Sequence, residues 1–233
     1  GLMDLLAPRF HVFAPDLYGS GKSAEWPSGR VISLRDEVDF IAPVLAKAGA
    51  PLVLVGHSHG AAVALMAALA NPGRVRALAL YEPTLFALID AQAPPPNDAD
   101  GIRNAVARAS AALDGQPNAA AEHFIDYWMG PGSWQQTPVQ RQPPIAAAVV
   151  NVRRWAHALF TEPTPLSAFR ALDVPVLYMI GKRSTASAQG VARLLLSALP
   201  RVEVLEFDAL GHMGPVTHPE IVNDAIARFV DRA

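Results

Sequence analysis

The 233-residue chain contains no cysteine. Without thiols it has no disulfide, no thiolate metal ligand and no cysteine nucleophile, so any nucleophile must be another side chain. Long apolar runs are also absent. The segment from Ala61 to Ala70 is apolar, but it ends at Asn71-Pro72-Gly73, short of the roughly 18 residues that a membrane span needs. We therefore expect no association with a membrane.

Neither sign of charge is in excess. The chain has 19 basic and 21 acidic residues, and they are interspersed without a basic run. This pattern argues against a nucleic-acid partner and leaves a small-molecule substrate as the expected one. The start shows no signal peptide, so we expect a cytoplasmic location. Oligomeric state has no signature in the sequence.

Short apolar runs alternate with helical patterns along the chain. The runs predicted as strands are residues 10–15, 51–55, 76–80, 174–180 and 202–207. The predicted helices between and after them cover residues 33–48, 61–69, 188–199 and 219–230. This order predicts an α/β fold, with a mostly parallel, doubly wound sheet and right-handed crossovers.

No strand is predicted between about residues 86 and 173. Helical patterns occupy 101–128, with a break at Gly115-Gln116-Pro117, and about 147–160. Helices between strands indicate a helical cap inserted into the sheet domain. We predict a core of residues 1–86 and 169–233 and a cap of residues 87–168; the alternative is a helical subdomain with no role at the site.

The pentapeptide Gly56-His57-Ser58-His59-Gly60 matches G-x-S-x-G, directly after an apolar strand and directly before a small-residue helix. In that context the serine occupies a strained turn that exposes its hydroxyl. Side chains at positions 56 and 60 are expected to collide with the turn. Ser58 is the predicted nucleophile, against the alternative of a glycine-rich turn with an incidental serine.

A serine hydroxyl needs a base. His212 is the predicted base, because its loop follows the strand at 202–207 and so lies at the same sheet edge as Ser58. The flanking residues His57 and His59 are expected to point elsewhere. His218 precedes Pro219 and is interpreted as a capping or surface residue.

These motifs resemble the α/β-hydrolase superfamily over nearly all of the chain. The resemblance rests on the segment from Pro15 to Ser23, on the elbow at Ser58 and on Gly211-His212. It implies the order nucleophile, acid, histidine, and a structural turn at Asp16. Gly21-Lys22-Ser23 matches the end of the P-loop motif G-x-x-x-x-G-K-S. A P-loop is excluded, since Asp16 stands where the first glycine of that motif should be.

The acid departs from the common pattern of that family. Its members usually carry Asp in the loop after the strand at 174–180, where this chain has Ser184. Glu82, at the carboxyl end of the strand at 76–80, is the predicted acid. Haloalkane dehalogenases resemble this chain in taking their acid from there. Glu82 as a merely structural hydrogen-bond acceptor, and Asp208 as the acid, are the alternatives.

The oxyanion hole is expected to use the backbone N–H of His59. Resemblance to the family implies a second donor from a loop after an early strand, which would lie before Gly1. We therefore expect N-terminal strands of the fold to be missing from this chain.

The sequence predicts a serine hydrolase of carboxylester type that forms an acyl-enzyme on Ser58 with a small or medium apolar acyl substrate. The predicted pocket residues are His57, Tyr81, Trp128 and Met213, although cap aromatics such as Trp128 could instead form the cap's own core. No metal or cofactor motif is present, so none is expected. The alternatives are C–C bond hydrolysis or perhydrolysis on the same triad, or a ligand-binding protein with a dead or slow site.

Overall fold

The computed structural model describes all 233 residues and contains one four-stranded sheet. Its neighbouring strands are parallel and follow chain order: β1 (Leu52–His57), β2 (Val75–Tyr81), β3 (Val176–Gly181) and β4 (Val202–Phe207). This confirms the predicted parallel α/β sheet. It also brings the carboxyl ends of all four strands to one edge.

Helices precede, connect and follow these strands. The chain begins with α1 (Leu2–Leu6) and α2 (Leu34–Ala48), and α3 (His59–Ala70) joins β1 to β2. Between β2 and β3 lie α4 (Ala87–Gln92), α5 (Asp100–Ala112), α6 (Pro117–Met129), α7 (Ser133–Gln136), α8 (Gln142–Val149) and α9 (Val152–Phe160), with 3-10 turns at Val139–Arg141 and Leu166–Ala171. The last helices are α10 (Ala186–Ala198), α11 (Gly214–Thr217) and α12 (Pro219–Arg232).

Successive side chains of a strand point to opposite faces of the sheet, and a separate apolar cluster covers each face. Leu78 and Tyr178 belong to the large apolar cluster that includes α2, α3 and α10. Ala79 and Met179 belong to a second cluster with α12. The central strands β2 and β3 are therefore buried and apolar, apart from the half-buried Arg76 near the start of β2.

The helices between β2 and β3 have a small apolar cluster of their own, which contains Trp134 of α7 and Ala120 of α6. Trp128 of α6 and Leu159 of α9 belong instead to the large cluster of the sheet domain. The predicted absence of strands from this region is confirmed. The exact division into core and cap stays a prediction. None of the helices is long and apolar enough to cross a lipid bilayer.

Two sequence expectations about the secondary structure were wrong. Residues 10–15 form no strand: the segment from residue 11 to residue 16 makes no backbone–backbone hydrogen bond, and the free edge of β1 pairs with nothing in this chain. An apolar run becomes a strand only when a neighbour completes its ladder. The helix predicted at about 147–160 is two helices that break at Asn151.

Candidate active site

Three loops at the carboxyl edge of the sheet meet at one point. Ser58 follows β1, Glu82 follows the neighbouring β2, and His212 lies in the loop after β4. His57 and Tyr81 are paired across β1 and β2, so the residues that follow them emerge side by side. Sheet register, rather than sequence proximity, thus assembles this site.

Ser58 occupies the sharp turn that the sequence predicted, with φ 55° and ψ −122° at the start of α3. Gly56 is required there, because a Cβ at this position would lie 2.5 Å from the Ala61 Cα. The same expectation for Gly60 was wrong, since a Cβ on Gly60 meets nothing within 4 Å. The close approach is therefore confined to Gly56, at the end of the strand, and does not extend to Gly60 in the helix that follows.

A continuous chain of hydrogen bonds links the three residues of the predicted triad. The Ser58 Oγ lies 2.9 Å from the His212 Nε2, and the His212 Nδ1 lies 2.7 Å from the Glu82 Oε2. With a neutral imidazole, the serine hydroxyl donates to Nε2 and the Nδ1–H donates to the carboxylate. His212 is 1% exposed and Glu82 is fully buried. This is the geometry that the predicted nucleophile, base and orienting carboxylate require, and the base and the carboxylate are shielded from water.

Glu82 is surrounded by donors. Its Oε1 accepts the backbone N–H of Gly181 at 2.7 Å, and the Ser184 hydroxyl lies 2.6 Å and 2.7 Å from the two carboxylate oxygens. These hydrogen bonds hold both carboxylate oxygens in place. Asp208, the alternative acid, is on the surface and pairs with Lys182 at 2.7 Å. The contact between the Ser184 hydroxyl and Glu82 was not predicted from the sequence. Ser184 was treated there only as a residue that replaces the usual aspartate.

Two side chains predicted to line the pocket form hydrogen bonds with the backbone of the loop that carries His212. The Tyr81 hydroxyl donates to the Gly211 carbonyl at 2.8 Å, and the His57 Nε2–H donates to the His212 carbonyl at 2.8 Å. Burial, with the nearby His212, lowers the pKa of His57 to about 3. His57 is therefore neutral near pH 7 and acts here as a donor. Burial also raises the pKa of Tyr81 above its usual value.

The other two predicted pocket residues adjoin His212, one through space and one in sequence. Trp128 stacks on the imidazole ring of His212, with centroids 3.8 Å apart and an interplanar angle of 24°. Met213 follows the histidine, is half-buried, and packs against the large apolar cluster. A pocket-lining role for His57, Tyr81, Trp128 and Met213 stays a prediction.

The backbone N–H of His59, the predicted oxyanion donor, lies at the first position of α3. An N–H there has no carbonyl partner within the helix, and the positive end of the helix dipole adds to its attraction for an anion. The His59 ring lies 5.9 Å from Trp155 of α9, and burial lowers the pKa of its imidazole to about 4. The side chain is therefore neutral near pH 7, and the backbone supplies the attraction.

Comparison with known proteins agrees with this fold. A family model described as the alpha/beta hydrolase fold matches residues 1–219. The chain belongs to the α/β-hydrolase family. Lipase LipV of Mycobacterium tuberculosis is 40% identical to it over 79 residues, which are 34% of this chain and 29% of the lipase, so the match spans less than a third of that relative.

Solved structures of α/β-hydrolases superpose on nearly the whole chain. An α/β-hydrolase from Sphaerobacter thermophilus has a TM-score of 0.73 at 25% identity, covering 98% of this chain and 85% of that one. A thermophilic esterase from Thermogutta terrifontis has a TM-score of 0.70 at 21% identity, covering 99% and 83%. These likenesses place the protein among the α/β-fold hydrolases.

Proposed function

We propose that this α/β-hydrolase is a serine hydrolase of carboxylester type, which forms an acyl-enzyme on Ser58. One observation carries the proposal: Ser58, His212 and Glu82 form a single hydrogen-bonded chain with distances of 2.9 Å and 2.7 Å. That chain contains the nucleophile, the base and the orienting acid that acyl transfer needs, without a metal or cofactor.

In the first half-reaction the Ser58 Oγ attacks the ester carbonyl carbon while the His212 Nε2 takes the hydroxyl proton. The carbonyl oxygen becomes an oxyanion, and the backbone N–H of His59 donates one hydrogen bond to it. The imidazolium then gives its proton to the departing alkoxide as the ester C–O bond breaks. An alcohol leaves, and the acyl group stays on Ser58.

In the second half-reaction water attacks the acyl carbon and gives a proton to His212. Collapse of the tetrahedral intermediate breaks the bond to Ser58, which regains the proton, and a carboxylic acid is released. Glu82 keeps the imidazole in the Nδ1–H tautomer and stabilises the imidazolium that forms twice per cycle. Its burial and its additional donors fix the carboxylate in one position.

A small or medium apolar acyl group is the proposed substrate, with the helices between β2 and β3 acting as the cap over it. Two apolar side chains near the nucleophile support this. Met213 adjoins His212, and Trp155 of α9 lies beside the ring of His59. Relatives described as a lipase and an esterase are consistent with ester substrates.

Labelling with a fluorophosphonate probe, followed by peptide mapping, tests the proposal. We expect label on Ser58, none on the Ser58→Ala variant, and a loss of at least about 10⁴-fold in hydrolysis of p-nitrophenyl esters by that variant. The acyl length of the ester is varied to define the pocket.

Two outcomes would contradict the proposal. Intact protein that takes no label is a ligand-binding protein on a hydrolase scaffold. Protein that is labelled at Ser58 but hydrolyses no ester of any acyl length uses the triad for another reaction, such as C–C bond hydrolysis or perhydrolysis.

A further inference from the structure

The indole ring of Trp128 covers one face of the His212 imidazole. The two ring centroids are 3.8 Å apart and the planes differ by 24°, which is a stacked arrangement. Trp128 is 7% exposed and His212 is 1% exposed, so water does not separate the rings. α6, on which Trp128 lies, is far in sequence from both loops that carry the base and the nucleophile.

The edges of the imidazole are already occupied by hydrogen bonds. Its Nδ1 lies 2.7 Å from the Glu82 Oε2, and its Nε2 lies 2.9 Å from the Ser58 Oγ. A proton added during turnover therefore creates a cation that water cannot reach. Beyond Glu82, the group in position to stabilise that cation is the one that contacts the ring face.

We propose that Trp128 is a positioning residue that stabilises the imidazolium form of His212 through the π face of its indole. This inference rests on the proposed function, in which the imidazolium forms beside each tetrahedral intermediate. A cation within about 6 Å of an indole face is attracted to it, whereas a neutral imidazole gains little. Because the attraction grows as the proton moves, it lowers the barrier and not only the energy of the resting site.

The ionisable groups around His212 are few. Glu82 approaches from β2, His57 approaches from β1 with ring centroids 5.0 Å apart, and Tyr81 contacts the loop from below. Burial lowers the pKa of His57 to about 3 and raises that of Tyr81, so neither titrates between about pH 5 and 8.

Three variants test the proposal: Trp128→Leu, Trp128→Phe and, as the matched control, Trp134→Leu. Trp134 is a buried indole in the separate cluster of the cap, with 5% exposure. NMR follows the histidine ring signals of the resting protein against pH. The signals that disappear in the His212→Gln variant are assigned to His212. Removing the π face should lower the titration midpoint of His212 by about 0.5 to 1.5 pH units in Trp128→Leu, by less in Trp128→Phe and not at all in the control.

Hydrolysis of a p-nitrophenyl ester supplies the second measurement. The rate needs neutral His212, so the acidic limb of kcat/KM should move to lower pH in Trp128→Leu. On the plateau above it, kcat/KM should fall by about 3- to 30-fold, and by less in Trp128→Phe. A merely structural tryptophan would lower the plateau without moving the limb.

A midpoint that is unchanged or moves upward in both Trp128 variants overturns the inference. If Trp128→Leu does not fold, the conservative Trp128→Phe variant decides by the same criterion. Failure of the proposed function looks different: the NMR midpoint shifts as expected, but the wild-type protein shows no hydrolysis that depends on Ser58.

Discussion

At the scale of single residues, the two positions with the most unusual backbone are Ser58 and Glu82. They are the only non-glycine residues with positive φ, at 55° and 44°. Such conformations cost free energy and persist where the surrounding structure holds them. Ser58 is held by the elbow, and Glu82 by donors from the end of β3 and the loop after it, among them the hydroxyl of Ser184. Ser184 occupies the position where the family usually places its acid, and its hydroxyl instead holds the predicted acid, Glu82, which follows β2.

A double-mutant cycle tests this relation. Glu82→Gln should lower kcat for ester hydrolysis by about 10² to 10⁴-fold, because an amide can no longer hold the imidazole tautomer and stabilise the imidazolium. Ser184→Ala should lower kcat by about 3- to 30-fold by releasing the carboxylate. In the Glu82→Gln background, Ser184→Ala should have little further effect, since its partner is already lost.

Asp208→Asn is the control for the acid, because its exposed carboxylate faces Lys182 and should be dispensable. Near-normal turnover of a folded Glu82→Gln variant would rule out Glu82 as the acid. Full additivity of the two losses would show that Ser184 acts elsewhere. Thermal unfolding of each variant separates these outcomes from loss of structure.

At the scale of elements, α2 carries a buried carboxyl outside the site. Glu37 is 1% exposed; its Oε2 accepts the backbone N–H of Tyr18 at 3.2 Å, and its Oε1 has no partner. Burial, assisted by the nearby charge of Asp36, raises the pKa of Glu37 to about 7. A carboxyl whose pKa is raised by folding stabilises the fold fully when the pH is below its pKa in the unfolded chain. That stabilisation is lost as the pH rises through the folded pKa of about 7.

Glu37→Gln should therefore increase the free energy of unfolding at pH 8 by on the order of 1 kcal/mol, and by less at pH 5. The amide removes the buried charge and keeps an acceptor for Tyr18. Urea unfolding at both pH values measures the effect. Glu220→Gln, at an exposed position in the first turn of α12, is the matched control; any loss of its interaction with the helix dipole should be small and the same at both pH values. A loss of stability at pH 8 would show that the ionised carboxylate is needed.

At the scale of the whole molecule, α9 joins the helical insert to the loop before α2. The Asn151 Nδ2 donates to the Gly19 carbonyl at 3.0 Å, 132 residues away in sequence. Arg154 pairs with Glu25 at 2.6 Å on the exposed surface of the same contact. Asn151 is buried at the break between α8 and α9, so the break positions a side chain that ties distant segments together.

Asn151→Ala should lower the free energy of unfolding by about 1 to 2 kcal/mol, because the part-buried Gly19 carbonyl loses its donor. Hydrogen exchange should accelerate in α9 and in the loop around Gly19. Arg154→Gln should cost less than about 0.5 kcal/mol, since exposed ion pairs contribute little. Equal effects of the two variants would contradict the assignment of Asn151 as the main tie.

The sequence by itself predicted the four parallel strands, the elbow at Ser58 and the candidates His212 and Glu82. These depend on local patterns, because an apolar run followed by a tight turn encodes both a buried strand and the sheet edge where its loop emerges. Glu82 followed from the absence of a carboxylate at the usual position and its place after β2.

Only the tertiary structure decided the contacts between distant segments. It placed Trp128 on the face of His212 and the hydroxyl of Ser184 on Glu82, and it left residues 10–15 without a strand partner. The sequence around each of these positions does not contain the group that it meets. Packing and hydrogen bonding depend on where that second group lies in space, and this is settled only when the sheet and the helical insert come together.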